Sequence, residues 1–197
     1  MYRSVHHVIR QLALGLSIIS SVYLLSGCAT LSKQECVVGD WQTIGYNDGV
    51  AGYHSDRLAS HTKACAKAGV APDYQSWERG RQSGLKQYCT VNNAYNVGRR
   101  GRQLNTVCPV TNARVLQQAN QQGLDYYKLD SQLDEDKRLL YTYQAEFDKL
   151  EGGAMLDFAN EKEARARLLS LSEEIRQTKR RIQSTQKQLD SSIRSYQ

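Results

Sequence analysis

The chain has 197 residues, 40% of them hydrophobic, with 26 Lys and Arg against 20 Asp and Glu and a net charge of +6. That length bounds one domain, or a domain with an extension, and a basic excess this weak excludes nucleic-acid binding through a strongly basic surface. Two prolines, two phenylalanines, few β-branched runs and no Pro- or Gly/Ser-rich linker point to an all-α protein.

The first ten residues carry Arg3, His6, His7 and Arg10 and no acid, and residues 11–25 are almost wholly apolar. A basic segment followed by a short apolar one is the layout of a signal peptide. The apolar run falls short of the ~20 residues needed to span a bilayer. It ends in Leu25-Ser26-Gly27-Cys28, which resembles a bacterial lipobox. That resemblance implies cleavage of residues 1–27 and acylation (palmitate-type) of Cys28. The residue after Cys28 is Ala29, not Asp, which by the same resemblance implies sorting to the outer membrane, facing the periplasm. The expected membrane contact is therefore the N-terminal lipid. The competing reading is an ordinary signal peptide, or a signal anchor, with an incidental cysteine.

Cys36, Cys65, Cys89 and Cys108 remain, an even number. In an oxidising compartment this implies two disulfides. A His–His–Cys metal site is the alternative, since His54, His61 and Cys65 are spaced to share one helical face. No CxxC pair accompanies them, so no metal and no cofactor are expected.

The mature chain divides near residue 110: a Gly-rich, disulfide-stapled helical domain over 28–110, then a coiled-coil hairpin over 111–197. The first part holds a degenerate repeat. Trp41-x₃-Gly45-x₃-Gly49-x₃-Tyr53 is followed by Trp77-x₂-Gly80-x₃-Gly84-x₃-Tyr88, then by Ala94-x₃-Gly98-x₂-Gly101 and Leu116-x₂-Ala119-x₃-Gly123-x₃-Tyr127. Steps of three and four put these residues on one helical face. Interior glycine costs a helix about 1 kcal/mol relative to alanine, so stripes of Gly45, Gly49, Gly80, Gly84, Gly98, Gly101 and Gly123 need a reason. Close approach of two helix backbones supplies it. The alternative is that they mark turns, as Asn47-Asp48-Gly49 would suit.

Asp40 caps an expected helix over 41–68, which Gly69 and Pro72 stop. Asp73 caps a helix over 74–88, Thr90 one over 91–104, and Thr111 or Asn112 caps the helix beyond Pro109. If helix 74–88 folds back along helix 41–68, Cys89 returns toward Cys36. A further reversal brings Cys108 toward Cys65. The expected pairs are Cys36–Cys89 and Cys65–Cys108.

Beyond residue 110, Leu129, Leu133, Leu140, Tyr143, Phe147 and Leu150 recur at heptad-like steps with Asp136 as the one polar entry. After Gly152-Gly153, Leu168, Leu171, Ile175, Ile182, Leu189 and Tyr196 repeat the pattern, with Thr178 and Thr185 at core positions. That is an antiparallel coiled-coil hairpin. Its cations Arg176, Lys179, Arg180 and Arg181 read as a solvated face rather than a binding site.

Gly39-Asp40-Trp41, Gly45-Tyr46-x-Asp48-Gly49, His61-x₃-Cys65, Gly80-x₃-Gly84-Leu85-x₂-Tyr88-Cys89, Gly98-x₂-Gly101 and Val107-Cys108-Pro109, in that order, resemble an uncharacterised family of Gram-negative envelope lipoproteins, domain of unknown function 2799. The resemblance covers about residues 28–150. It implies a lipoprotein and brings no activity.

No nucleophile elbow, HExxH or P-loop is present, and no catalytic residue is assigned. The chain reads as a non-catalytic interaction or scaffold protein of the envelope, docking on an envelope protein or peptidoglycan. The second reading is a small envelope hydrolase, or an activator of one, using Asp48, His54 and His61 for acid–base chemistry. Asp40, Asp48 and Asp56 recur every eight residues with His61 beyond, although such residues more often cap helices or meet Arg57, Arg79 and Arg81.

Overall fold

The computed structural model describes residues 30–196; the expected signal peptide 1–27 and the lipidation residue Cys28 lie outside them. Among the described residues the chain is all helix and has no strand. The helices are α1 (Lys33–Val38), α2 (Trp41–Val50), α3 (Arg57–Cys65, running into a 3-10 turn Ala66–Ala68), α4 (Tyr74–Tyr88), α5 (Val91–Arg99), α6 (Val110–Glu151) and α7 (Glu161–Tyr196). The chain divides into two compact units between Gly84 and Leu85. This is earlier than the expected boundary at 110, because α5 packs along α6 and so belongs with the hairpin.

In unit one, α1 opens with a capping box that the sequence reading missed. The Glu35 amide donates to Ser32 Oγ at 3.2 Å, and the Ser32 amide donates to Glu35 Oε2 at 2.7 Å. These satisfy two of the free amides at a helix start, and hydrogen bonds to the Glu35 carboxylate from the Ser32 side chain, and then from the Ser32 amide, lower that carboxyl below its usual range. Asp40 caps α2 as expected, accepting from the Thr43 amide at 3.1 Å, and Asp73 caps α4, accepting from the Ser76 amide at 3.2 Å.

The expected single helix over 41–68 is broken. Gly52, at φ +73°, closes α2 in a Schellman turn. The Tyr53 amide donates to the Asp48 carbonyl at 2.9 Å and the Gly52 amide to the Gly49 carbonyl at 3.0 Å. Asn47-Asp48-Gly49 itself stays helical; the turn comes three residues later.

That break decides the disulfides. One is Cys36–Cys65, with Cα atoms 5.4 Å apart, and the other is Cys89–Cys108, at 5.5 Å. The expected pairs Cys36–Cys89 and Cys65–Cys108 are therefore replaced. An unbroken helix would hold residues 36 and 65 about 40 Å apart at 1.5 Å per residue. The reversal after Gly52 instead returns Cys65 to Cys36, where they join Leu31, Trp41 and Trp77 in one buried cluster.

The glycine stripes meet as α2 crosses α4. A Cβ on Gly45 would lie 1.9 Å from the Trp77 carbonyl oxygen, one on Gly80 2.0 Å from that of Gln42, and one on Gly84 2.1 Å from that of Tyr46. Each carbonyl sits three residues before a glycine of the other helix, so the crossing has a local two-fold character. Gly49, on the same stripe, is buried.

Unit two repeats the plan. Thr90 caps α5, accepting from the Asn93 amide at 3.2 Å. A Cβ on Gly98 would lie 2.2 Å from the Asn120 carbonyl oxygen, and one on Gly123 2.1 Å from that of Tyr95, again three residues before a glycine. Gly101 meets α6 through a side chain and not through backbone: a Cβ there would lie 2.8 Å from the Tyr127 ring. At φ +72° Gly101 ends α5 short of the expected residue 104, in the turn that Gly52 makes in unit one. The four sequence copies thus pair as two helix crossings, each with its own disulfide and a Gly-x₂-Gly helix end.

Helix α6 begins at Val110 with Pro109 at the cap position, not at Thr111 or Asn112, since proline's fixed φ suits a helix start. Helices α6 and α7 form the antiparallel hairpin, about 60 and 50 Å long at 1.5 Å per residue. Near its turn Leu150, Ala164 and Leu171 pack with Tyr143, Phe147, Phe158 and Leu168. Register is set by Arg167 on Glu146 and Arg181 on Asp136, each at 2.8 Å. Asp136, Thr178 and Thr185 are buried in the seam, and Arg181 also donates to Thr178 Oγ1 at 3.3 Å.

Candidate functional site

The shared plan of the two units exposes one departure. The residue before the crossing glycine of α5 is Val97, an apolar side chain 6% exposed; its counterpart in α2 is Asp48, also 6% exposed. The plan is met by valine, so the crossing itself does not require a buried carboxylate at Asp48. Burying a charge costs several kcal/mol unless it is paired and hydrogen-bonded.

Three side chains from two helices pair it. Asp48 Oδ2 takes His61 Nε2 of α3 at 2.7 Å and Trp77 Nε1 of α4 at 2.8 Å. Asp48 Oδ1 lies 3.6 Å from Arg57 Nε, which is buried and makes no hydrogen bond. The Arg57 guanidinium stacks 4.3 Å from the Tyr53 ring centroid, in the cation–π geometry. His61 is 1% exposed and Trp77 fully buried.

The indole N–H can only donate. A ring nitrogen at 2.7 Å from a carboxylate oxygen donates as well, so His61 carries its proton on Nε2. That leaves Nδ1 for Thr30, whose Oγ1 lies 2.9 Å away. A hydroxyl, an imidazole and a carboxylate in line are the parts of an activated nucleophile. Here the imidazole is sealed from solvent, so a substrate could meet at most the Thr30 end.

The other expected members do not join. His54 is exposed in the loop after α2. Asp40 is spent on its cap. Asp56 precedes α3 without making a capping hydrogen bond. Cys65 is oxidised, and no group of three His, Cys, Asp or Glu that could hold a metal occurs among the described residues. Of the arginines, Arg57 meets Asp48, whereas Arg81 pairs with Glu78 at 2.8 Å and Arg79 donates to Ser76 Oγ at 3.0 Å. The bond from Arg81 holds the Glu78 carboxyl below its usual range. Trp77 and Thr30 were missed by sequence reasoning. Trp77 read as the aromatic heading a glycine stripe, and Thr30 carried no signal.

On the hairpin, Arg176 and Arg180 are both bound by Glu173. The hydrogen bond from Arg176 is the largest cause of a Glu173 carboxyl lowered to about 2. Arg167 bridges Glu146 and Glu174 at 2.8 Å each. Arg181 is held by Asp136, the one polar entry in the heptad pattern and the signal that could have found this pair.

No curated protein and no solved structure matches the chain. Residues 40–125, which span both glycine crossings and the Asp48–His61 pair, match the family model described as a protein of unknown function, DUF2799.

Proposed function

We propose that this is a non-catalytic interaction protein of the cell envelope, tethered by a lipid on Cys28 to the outer membrane and facing the periplasm, with the α6–α7 hairpin as the arm that meets an envelope protein or peptidoglycan. The observation that carries the non-catalytic reading is the commitment of Asp48 and His61 to one another, to Trp77 and to Thr30, inside the unit and out of solvent. The two disulfides suit an oxidising compartment. The second reading, an envelope hydrolase or hydrolase activator, draws on the Thr30–His61–Asp48 order. His54 has no part in it.

The two readings part on one experiment. Asp48→Val alone leaves the His61 and Trp77 donors buried without an acceptor, at a cost of about 3–5 kcal/mol. Asp48→Val with His61→Leu removes the carboxylate and the imidazole together and should recover the share of that loss due to His61, while the Trp77 indole N–H and Arg57 still lack their acceptor. If the double variant restores wild-type behaviour to a deletion strain, the cluster is structural. A double variant that folds with both disulfides formed but is inactive in cells would overturn the non-catalytic reading. The tether is tested by Cys28→Ser: unprocessed precursor and loss of fatty-acid labelling are expected, and retained labelling refutes the lipid anchor.

A further inference from the structure

No Asp or Glu occurs between Glu78 and Asp125. Within unit two that stretch contributes Lys86, Arg99, Arg100, Arg102 and Arg114 as its only charged side chains. Arg99 stacks 4.1 Å from the Tyr126 ring centroid. Arg100, Arg102 and Arg114 are exposed, and no ion pair among the described residues involves them. Most of the other described arginines lie within 4 Å of a carboxylate; Arg100, Arg102 and Arg114 do not.

The same region holds a half-open, mostly apolar cavity of about 160 Å³. Leu104, Cys108, Ala113 and Leu116 are among its walls. Arg102 begins the loop that forms one wall, pinned to α6 where Asn120 Nδ2 donates to the Arg102 carbonyl at 3.0 Å and the Leu104 amide donates to Asn120 Oδ1 at 3.1 Å. Arg114 stands on α6 between Ala113 and Leu116, one helical turn from Val110. Val110, also on the wall, is 91% exposed, and Val115 is 49% exposed. A cavity of this size admits a small apolar group.

We propose that this arginine-rimmed apolar face of unit two docks on an anionic phospholipid surface. Arg102 and Arg114 would meet lipid phosphates, which guanidinium groups bind in a bidentate fork. Val110 and the cavity would take up apolar chain beneath the headgroups. Exposed valine beside unpaired cations, with no acid in the stretch, matches a lipid interface. A polysaccharide or peptide mesh offers no chain to fill the apolar part. This contact adds to the tether proposed above but is carried by residues far from Cys28 in sequence, so it is testable without the lipid.

The test uses residues 29–197, which carry every described helix and both disulfides, in co-sedimentation with vesicles of phosphatidylcholine alone or with about one third phosphatidylglycerol. Binding should appear only with phosphatidylglycerol and weaken in high salt, as screening shortens the reach of each charge. Arg102→Glu with Arg114→Glu should weaken it at least ten-fold while the helical melt is unchanged, both side chains being exposed; Arg102→Gln with Arg114→Gln should fall in between. Equal binding to both vesicles, or full binding by the charge-reversed variant, overturns the proposal. Binding to purified peptidoglycan with none to vesicles overturns it too and assigns the face to the cell wall. Absence of fatty-acid labelling at Cys28 would sink the tether and leave this result standing.

Discussion

Gly84→Ala sets two effects of opposite sign against each other. In a free helix alanine is the better residue by about 1 kcal/mol. In the fold, the new methyl carbon would lie 2.1 Å from the Tyr46 carbonyl oxygen, 2.7 Å from the Val50 nitrogen and 3.0 Å from the Gly49 carbonyl carbon. A carbon meets a carbonyl oxygen comfortably at about 3.3 Å, so α2 and α4 must separate by about 1 Å. All three atoms are backbone, and none can swing aside as a side chain does. Overpacking costs about 1–3 kcal/mol, and a backbone clash belongs at the upper end. The net expectation is a loss of about 1–2 kcal/mol, a fall in melting temperature of about 2–8 °C for a chain this long. Gly98→Ala should do the same in unit two, where its Cβ would meet the Asn120 carbonyl oxygen at 2.2 Å. Gly152→Ala is the control: its φ is −72° and its Cβ would find no atom closer than 3.2 Å. The assay is thermal melting of residues 29–197 by circular dichroism. A rise in melting temperature for both Gly84→Ala and Gly98→Ala would refute the close crossing, since propensity alone would then decide the sign.

The hairpin should also weaken in acid. The hydrogen bonds and charge of Arg167 hold the Glu146 carboxyl below its ordinary range, so the stabilisation is present above the unfolded value of about 4.3 and is lost as pH falls through the lower folded value. Melting at pH 7 and pH 3 should show the loss, and Glu146→Gln should shrink it; an unchanged difference would discount the Arg167 pair. The disulfide pattern has a simple readout as well: tryptic cleavage after Lys86 without reductant should release two separate halves, each internally bridged, whereas crossed pairs would keep them joined. Removing either bridge, with sequence separations of 29 and 19, should cost about 3–4 kcal/mol by the chain-entropy model.

What the sequence determined by itself is what depends on near neighbours. The caps Asp40, Asp73 and Thr90 act within three residues, so Tyr74–Tyr88 was readable end to end, and the heptad steps of α6 and α7 with Gly152-Gly153 between them could only make a hairpin. The glycine stripes announced close packing because nothing else offsets their helical cost. Tertiary structure alone decided the partners. The break at Gly52 went unread beside the Asn47-Asp48-Gly49 signal, because a Schellman turn is selected by what the chain packs on after it reverses. Once the break is placed, Cys65 falls beside Cys36 and the disulfide pattern is set. Asp48 likewise read as a helix-face carboxylate; its burial against His61, Trp77 and Thr30 depends on four segments converging, and pairs formed across such distances leave no periodic trace in the chain.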